Sequence, residues 1–69
     1  KRPSELGEAL AHFREAIRRK PTDAQYHINL AVTLRAAGDV AAAIAAFRDA
    51  VRLDPQHASA RNDLGLLLK

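Results

Sequence analysis

The sequence contains no cysteine, tryptophan or methionine, and only three of its 69 residues are aromatic. Without cysteine the chain can form neither a disulfide nor a metal site with thiolate ligands, and this fits a cytoplasmic protein. No apolar run reaches the roughly 20 residues that cross a bilayer, and no apolar segment follows the basic start as it would in a signal peptide. We therefore predict a soluble chain with no membrane partner.

The residue patterns that usually carry chemistry are also missing. The three glycines are isolated, so the sequence has no glycine-rich phosphate loop, and no serine stands at a recognisable spacing from a histidine and a carboxylate. The histidines, His12, His27 and His57, are too far apart for two of them to bind one metal from a single helix. We therefore expect no enzymatic activity, no cofactor and no metal.

Alanine and arginine dominate what is present. Fifteen alanines supply much of the 48% hydrophobic content, which favours close helix packing over a thick core. The net charge is +3, and four arginines would form a basic stripe on two helices: Arg14, Arg18, Arg48 and Arg52. Arginine binds phosphate well, but acidic residues interleave here and no exposed aromatic is expected for base stacking. We do not expect nucleic-acid binding.

Several residues recur 34 positions further along the chain. Phe13, for example, recurs as Phe47, and the residues around it recur as well. Ala9, Ala16 and Pro21 recur as Ala43, Ala50 and Pro55, and Leu30, Ala31 and Leu34 recur as Leu64, Gly65 and Leu68. A period of this length is typical of repeat arrays built from helical hairpins. We therefore interpret the chain as a repeat array.

Apolar spacing and boundary residues predict four helices, over about 5–19, 24–37, 40–53 and from 58 onwards. Ser4 is the predicted N-cap of the first helix, Thr22-Asp23 offers caps for the second and Asp39 for the third, and Gly38 is predicted to take the left-handed conformation that ends a helix. The side chains predicted to face inward are Leu6, Ala9, Leu10, Phe13, Ala16 and Ile17 in the first helix, Tyr26, Leu30, Ala31 and Leu34 in the second, and Val40, Ala43, Ile44, Phe47, Ala50 and Val51 in the third.

Two patterns are specific: His27-x2-Leu30-Ala31-x2-Leu34, and Ala43-x3-Phe47-x2-Ala50 followed by Pro55. With Gly38-Asp39 between them, they resemble the two helices of the tetratricopeptide repeat, although that family usually has Trp at position 27 and Tyr at position 34. The resemblance implies an all-α fold of antiparallel helix-turn-helix hairpins, stacked as a right-handed solenoid of about four helices. It covers essentially the whole chain.

The resemblance also divides this single domain. Residues 1–23 look like the second helix of a preceding repeat, 24–57 like a complete repeat, and 58–69 like the first helix of a following repeat. Because the sequence has no initiating Met and stops within a predicted helix, we expect it to be a fragment of a longer protein.

In the family, the first helices line a concave groove that binds a peptide or protein segment. The groove contacts that this implies are Gln25, Ile28, Asn29, Val32, Arg35, Asn62, Asp63 and Leu66. Asn29 is the most informative of them, because Asn at this place commonly bonds the peptide backbone and its amide offers both donor and acceptor. The expected function is therefore that of a protein–protein interaction scaffold.

Two alternatives remain open. Residues 27–31 also resemble the repeats that precede O-linked N-acetylglucosamine transferases, so the chain could be an accessory region of a larger enzyme. Uncovered end faces could instead join copies into a homo-oligomer through Leu64, Leu67 and Leu68. A clamp for a C-terminal carboxylate, as in some co-chaperones, is not expected, because Ser59 and Asp63 stand where its basic pair would be.

Overall fold

The computed structural model of the chain describes residues 2–68, which form four α-helices and no β-strand. In chain order these are α1 (Arg2–Arg19), α2 (Ala24–Ala36), α3 (Val40–Leu53) and α4 (Ala58–Leu68). The all-α fold is confirmed, and so are the bounds of α3 and the start of α4. The first helix begins earlier than predicted, so Ser4 lies within its first turn and not at its N-cap.

Aspartate residues begin α2 and α3, as predicted. The Asp23 carboxylate accepts a hydrogen bond from the backbone N–H of Gln25 at 3.0 Å, and the Asp39 carboxylate accepts one from the N–H of Ala42 at 3.2 Å. The first N–H groups of a helix have no intrahelical partner, so these bonds satisfy donors that would otherwise depend on water.

The turn between α2 and α3 depends on Gly38, whose φ of 90° lies in the left-handed region. The N–H of Gly38 donates to the carbonyl of Arg35 at 3.0 Å, and the N–H of Asp39 donates to the carbonyl of Leu34 at 2.9 Å. This pair of bonds is a Schellman motif, which satisfies the last carbonyls of the helix. The chain can therefore reverse within three residues, and α3 packs back on α2.

The fourth helix begins on a histidine. His57 is half-buried, and its Nδ1 accepts from the backbone N–H of Ala60 at 3.4 Å. His57 stands 34 positions after Asp23, so the two side chains cap equivalent helices. The longer distance makes the histidine cap the weaker one.

The core lies where α2, α3 and α4 meet, and each helix packs mainly against its neighbours in sequence. Phe47 is fully buried and is the largest such side chain among residues 2–68. Most of the others are alanines, and the full cluster is Ile28, Ala31, Leu34, Ala43, Ala46, Phe47, Ala50 and Ala60. Small side chains allow the helix backbones to approach closely, as the composition predicted.

At several positions the observed burial differs from the burial that the apolar periodicity predicted. Val40 was predicted to face inward but is 43% exposed, because it is the first residue of α3 and lies at the edge of the hairpin. Ala46 and Ala60 are buried although they were not predicted to be. The predicted apolar face of α1 is only half-buried over its whole length, since only α2 packs substantially against this helix.

Candidate functional site

One side of α2 carries three of the residues expected to line a groove, Gln25, Asn29 and Val32, together with Ala36. Gln25, Asn29, Val32 and Ala36 are spaced by four, three and four positions, which places them on the same side of a helix. Gln25 and Ala36 are exposed, Asn29 is half-buried, and Val32 is 38% exposed. This side therefore combines two amide side chains with a small apolar surface.

The two amides of α2 are joined by a hydrogen bond. Nε2 of Gln25 donates to Oδ1 of Asn29 at 3.0 Å, one helical turn away. The backbone carbonyl of Asn29 accepts from the hydroxyl of Thr33 at 2.9 Å. Within residues 2–68 nothing accepts from the side-chain nitrogen of Asn29, so this donor is available to a ligand.

Arg35 and Ile28 lie at the edge of this surface and behave differently. The guanidinium carbon of Arg35 is 6.0 Å from the centre of the Phe47 ring, a distance typical of a cation–π contact, and the side chain remains exposed. Ile28 is only 6% exposed and belongs to the core cluster. This burial corrects its expected place in the groove, because the side chain is used for helix packing.

The corresponding side of α4 is more polar. Ser59, Asn62, Asp63 and Leu66 are spaced by three, one and three positions, so they also share one side of a helix. Ser59 and Asn62 are exposed, Asp63 is half-buried, and Leu66 is 58% exposed. Asp63 is equivalent to Asn29 at the 34-residue offset, so α4 offers a carboxylate where α2 offers an amide.

The three leucines expected on an end face are not equally available. Leu64 and Leu67 are half-buried and pack against the core cluster. Leu68 is 52% exposed. Packing therefore already uses part of the first two side chains, and Leu68 carries most of the apolar surface that remains.

A cleft of about 340 Å³ opens between α1, α2 and α3. None of its lining residues is among the groove residues of α2 and α4 described above. Its apolar part includes Ile17, Leu30 and Leu34, with His27 beside them. Nε2 of His27 lies 3.0 Å from the carbonyl oxygen of Pro21. Positions 27 and 34 are those where the tetratricopeptide repeat usually has Trp and Tyr, so we interpret the cleft as underfilled helix packing.

Ion pairs neutralise part of the basic stripe. Arg18 pairs with Glu15 at 2.5 Å, and Arg52 pairs with Asp49 at 3.1 Å. Hydrogen bonds from Arg18, and then from Arg19, lower the pKa of the Glu15 carboxyl. All these side chains are solvent-exposed or nearly so, and such pairs are common on helix surfaces, where they contribute little to stability.

Two features of other protein classes are missing from the part of the chain that the structure describes. None of its helices is long and apolar enough to cross a membrane. Its histidine, aspartate and glutamate side chains form no group of three or more that could hold a metal ion. His12 is exposed, while His27 and His57 make the contacts with Pro21 and Ala60 given above.

The family model of the tetratricopeptide repeat matches residues 4–58 and 28–68, so two overlapping matches cover residues 4–68. The chain belongs to the tetratricopeptide repeat family. No curated protein matches it at a significant level.

Membership of the tetratricopeptide repeat family gives a general function. Its repeats are generally protein–protein interaction modules, and the motif is typically non-catalytic. The family thus accounts for the hairpins and for exposed helix faces that carry polar and apolar side chains together.

Proposed function

We propose that this chain binds an extended protein segment along the exposed sides of α2 and α4. This groove surface consists of Gln25, Asn29, Val32, Arg35, Asn62, Asp63 and Leu66. The observation that carries the proposal is the hydrogen bond from Gln25 to Asn29, because it occupies the amide oxygen of Asn29 and leaves the amide nitrogen without a partner among residues 2–68. A donor held in this way is suited to a peptide carbonyl.

The side chains around Asn29 suggest the chemistry of the ligand. Val32 and Leu66 are exposed apolar residues, one on each helix, and each could receive an apolar side chain of an extended peptide. Arg35 offers an exposed cation, whereas Asp63 offers a half-buried carboxylate. The best ligand would therefore have alternating apolar residues and an acidic residue near Arg35, without an acidic group near Asp63.

The proposal also applies if this chain is one part of a longer protein. Under this proposal residues 24–57 act as the complete repeat, with α1 and α4 belonging to the repeats on either side. If the chain serves a larger enzyme, such as an O-linked glycosyltransferase, the groove surface would hold that enzyme's protein substrate. A cytoplasmic location is supported only by the absence of cysteine.

The test begins with a selection of short random peptides displayed against the immobilised chain. A synthetic copy of the selected peptide is then titrated into isotope-labelled protein, and the backbone amide shifts are followed by nuclear magnetic resonance. We expect the largest shifts on the exposed sides of α2 and α4. Shifts centred on Arg14, His27 and Asp49 would instead assign binding to the cleft and contradict the proposal.

Two variants distinguish a direct contact between Asn29 and the peptide from an effect of the substitution on folding. Asn29→Ala should weaken peptide binding about 3- to 10-fold, which corresponds to the loss of one typical hydrogen bond, and should leave helicity almost unchanged. Gln56→Ala is the matched control, because Gln56 is also an exposed amide but lies in the connection between α3 and α4. Equal affinities of the two variants would argue against a role for Asn29.

A further inference from the structure

The cleft between α1, α2 and α3 has an apolar floor. Ile17 of α1 and Leu30 and Leu34 of α2 line it, and these three side chains are called the apolar floor below. The α3 side is lined mainly by alanines, whose short side chains leave the space of about 340 Å³ unfilled. All the lining residues lie between positions 14 and 49, so three helices of the same chain form the whole cleft.

The volume of the cleft sets the size of a ligand. A benzene ring fits a protein cavity of about 150 Å³, and pockets for small molecules begin at about 300 Å³. The cleft, at about 340 Å³, therefore has room for one aromatic ring with a short substituent. It is too small for a peptide of several residues.

The charged side chains at the cleft leave one cation without a partner. The Asp49 carboxylate is paired with Arg52 at 3.1 Å. Arg14 is exposed at the cleft and makes no hydrogen bond or ion pair with any other described residue. A guanidinium binds a carboxylate through two parallel hydrogen bonds. The electrostatics of the cleft therefore favour an anionic group beside Arg14.

His27 gives the cleft a flat wall with a fixed orientation. Its Nε2 lies 3.0 Å from the carbonyl oxygen of Pro21, and because a carbonyl only accepts, Nε2 carries the proton of this bond. The bond holds the half-buried imidazole against the connection between α1 and α2. A flat ring packs against such a wall over its whole face and loses less conformational freedom on binding than an alkyl chain.

We propose that this cleft binds a small aromatic carboxylate, with the ring on the apolar floor beside His27 and the carboxylate on Arg14. Such a ligand buries its apolar part among three helices and pairs with the free cation. The cleft residues of α2, at positions 27, 30 and 34, lie on the opposite side of the helix from Asn29 and Val32. The site is therefore separate from the groove surface.

The test uses 3-phenylpropionate as the probe and the neutral 3-phenylpropanamide as its control. Each is titrated into the isotope-labelled chain, and the backbone amide shifts are followed by nuclear magnetic resonance. Because the ligand is small and the cleft is open to solvent, we expect a dissociation constant of about 1–5 mM for the carboxylate. The affinity of the amide should be about 2- to 5-fold lower, since an exposed ion pair contributes little.

The location of the shifts decides between the two sites. The largest shifts should occur at His27, Leu30 and Ala45. Shifts centred on Asn29 and Leu66 would assign the probe to the groove surface and overturn the proposal. No shift of the cleft residues at about ten times the expected dissociation constant would overturn it as well.

Charge variants test the role of Arg14. Arg14→Gln should lower the affinity for the carboxylate about 2- to 5-fold, to that of the amide, and leave binding of the amide unchanged. Arg48→Gln is the matched control, because Arg48 is the equivalent residue 34 positions later and is also exposed, but does not line the cleft. Asp49→Asn should strengthen binding of the carboxylate, because it removes a negative charge from the cleft. Equal affinities of the two arginine variants for the carboxylate would contradict the anionic part of the proposal.

A larger side chain tests the cleft itself. Ala45 lines the cleft but is exposed, so Ala45→Phe should fill the space without disturbing the core, and both probes should lose their binding. Ala36→Phe is the matched control on the opposite side of α2, and circular dichroism should show native helicity for both variants. Unchanged binding of the probe to Ala45→Phe would contradict the site. Ala45→Phe should still bind the peptide selected for the groove surface, so either proposal can fail without the other.

Discussion

Nε2 of Gln25 donates a hydrogen bond to Oδ1 of Asn29 at 3.0 Å, and within residues 2–68 nothing accepts from the side-chain nitrogen of Asn29. In the proposed site this nitrogen faces the peptide. Gln25→Ala should therefore weaken binding of the selected peptide by positioning alone, about 2- to 5-fold, which is less than Asn29→Ala. Isothermal titration calorimetry measures both affinities. If the Gln25→Ala chain binds the peptide as tightly as the wild type, the hydrogen bond between Gln25 and Asn29 does not contribute to binding.

Phe47 should dominate the stability of the fold. It is completely buried, and Phe47→Ala should cost about 3–5 kcal/mol, enough to unfold most of so small a domain. Phe13→Ala is the matched control, because it removes the same side chain from the equivalent but half-buried position. Urea unfolding followed by circular dichroism, at low protein concentration, should give a clearly smaller loss for Phe13→Ala. Equal losses would contradict the difference in burial between Phe47 and Phe13.

The cap of α4 can be improved. Asp is a better N-cap than His, and a carboxylate also favours the positive end of a helix, so His57→Asp should stabilise the chain by about 0.5–1 kcal/mol. This change copies the Asp23 cap of α2 onto α4. Thermal unfolding should place the variant above the wild type and His57→Ala below it. The same melting temperature for all three would mean that the contact between His57 and Ala60 contributes nothing.

Gly65 and Gly38 should respond to alanine in opposite directions. Gly65 lies inside α4 with free space around it, so Gly65→Ala should gain up to about 1 kcal/mol from helix propensity. Gly38 has a φ of 90°, which an alanine adopts only with strain, so Gly38→Ala should destabilise the chain. Chemical unfolding checks both changes. A loss of stability in Gly65→Ala would indicate a close contact at that helix that the structure lacks.

Glu15 should give the chain a small pH dependence. Its pKa is lowered in the folded state, first by Arg18 and then by Arg19, so the ionised carboxylate stabilises the fold above the unfolded-state pKa. This contribution is lost as the pH falls through the lowered pKa. Glu15→Gln should therefore be less stable than the wild type at neutral pH and equal to it in acid. A difference that stays constant with pH would contradict this assignment, and added salt should reduce it.

The sequence alone predicted the helices well, because their boundaries depend on neighbouring residues. Asp23 and Asp39 cap α2 and α3, Gly38 makes the turn, and α3 has the predicted bounds. Such signals act within one or two turns of the chain, so they can be read without knowing the rest of the fold. The period of 34 residues likewise indicated a repeat array, and the motif residues from His27 to Pro55 carried the resemblance to the tetratricopeptide repeat family.

Burial was less predictable, because it depends on which helices meet. Ile28 was expected in the groove but lies in the core, while Val40 was expected in the core but is exposed. The periodicity of one helix gives the direction of a side chain and says nothing about whether another helix covers it. For the same reason, sequence could not rank Leu64, Leu67 and Leu68 by their free surface.

The sequence by itself determined that this chain is a helical repeat, where its helices turn, and that Phe13 and Phe47 are equivalent residues. Only the tertiary structure decided that Phe47 is buried between neighbouring helices while Phe13 remains half-exposed. The physical reason is that a repeated sequence gives each repeat the same apolar face, but the number of helices packed against that face depends on its place in the stack.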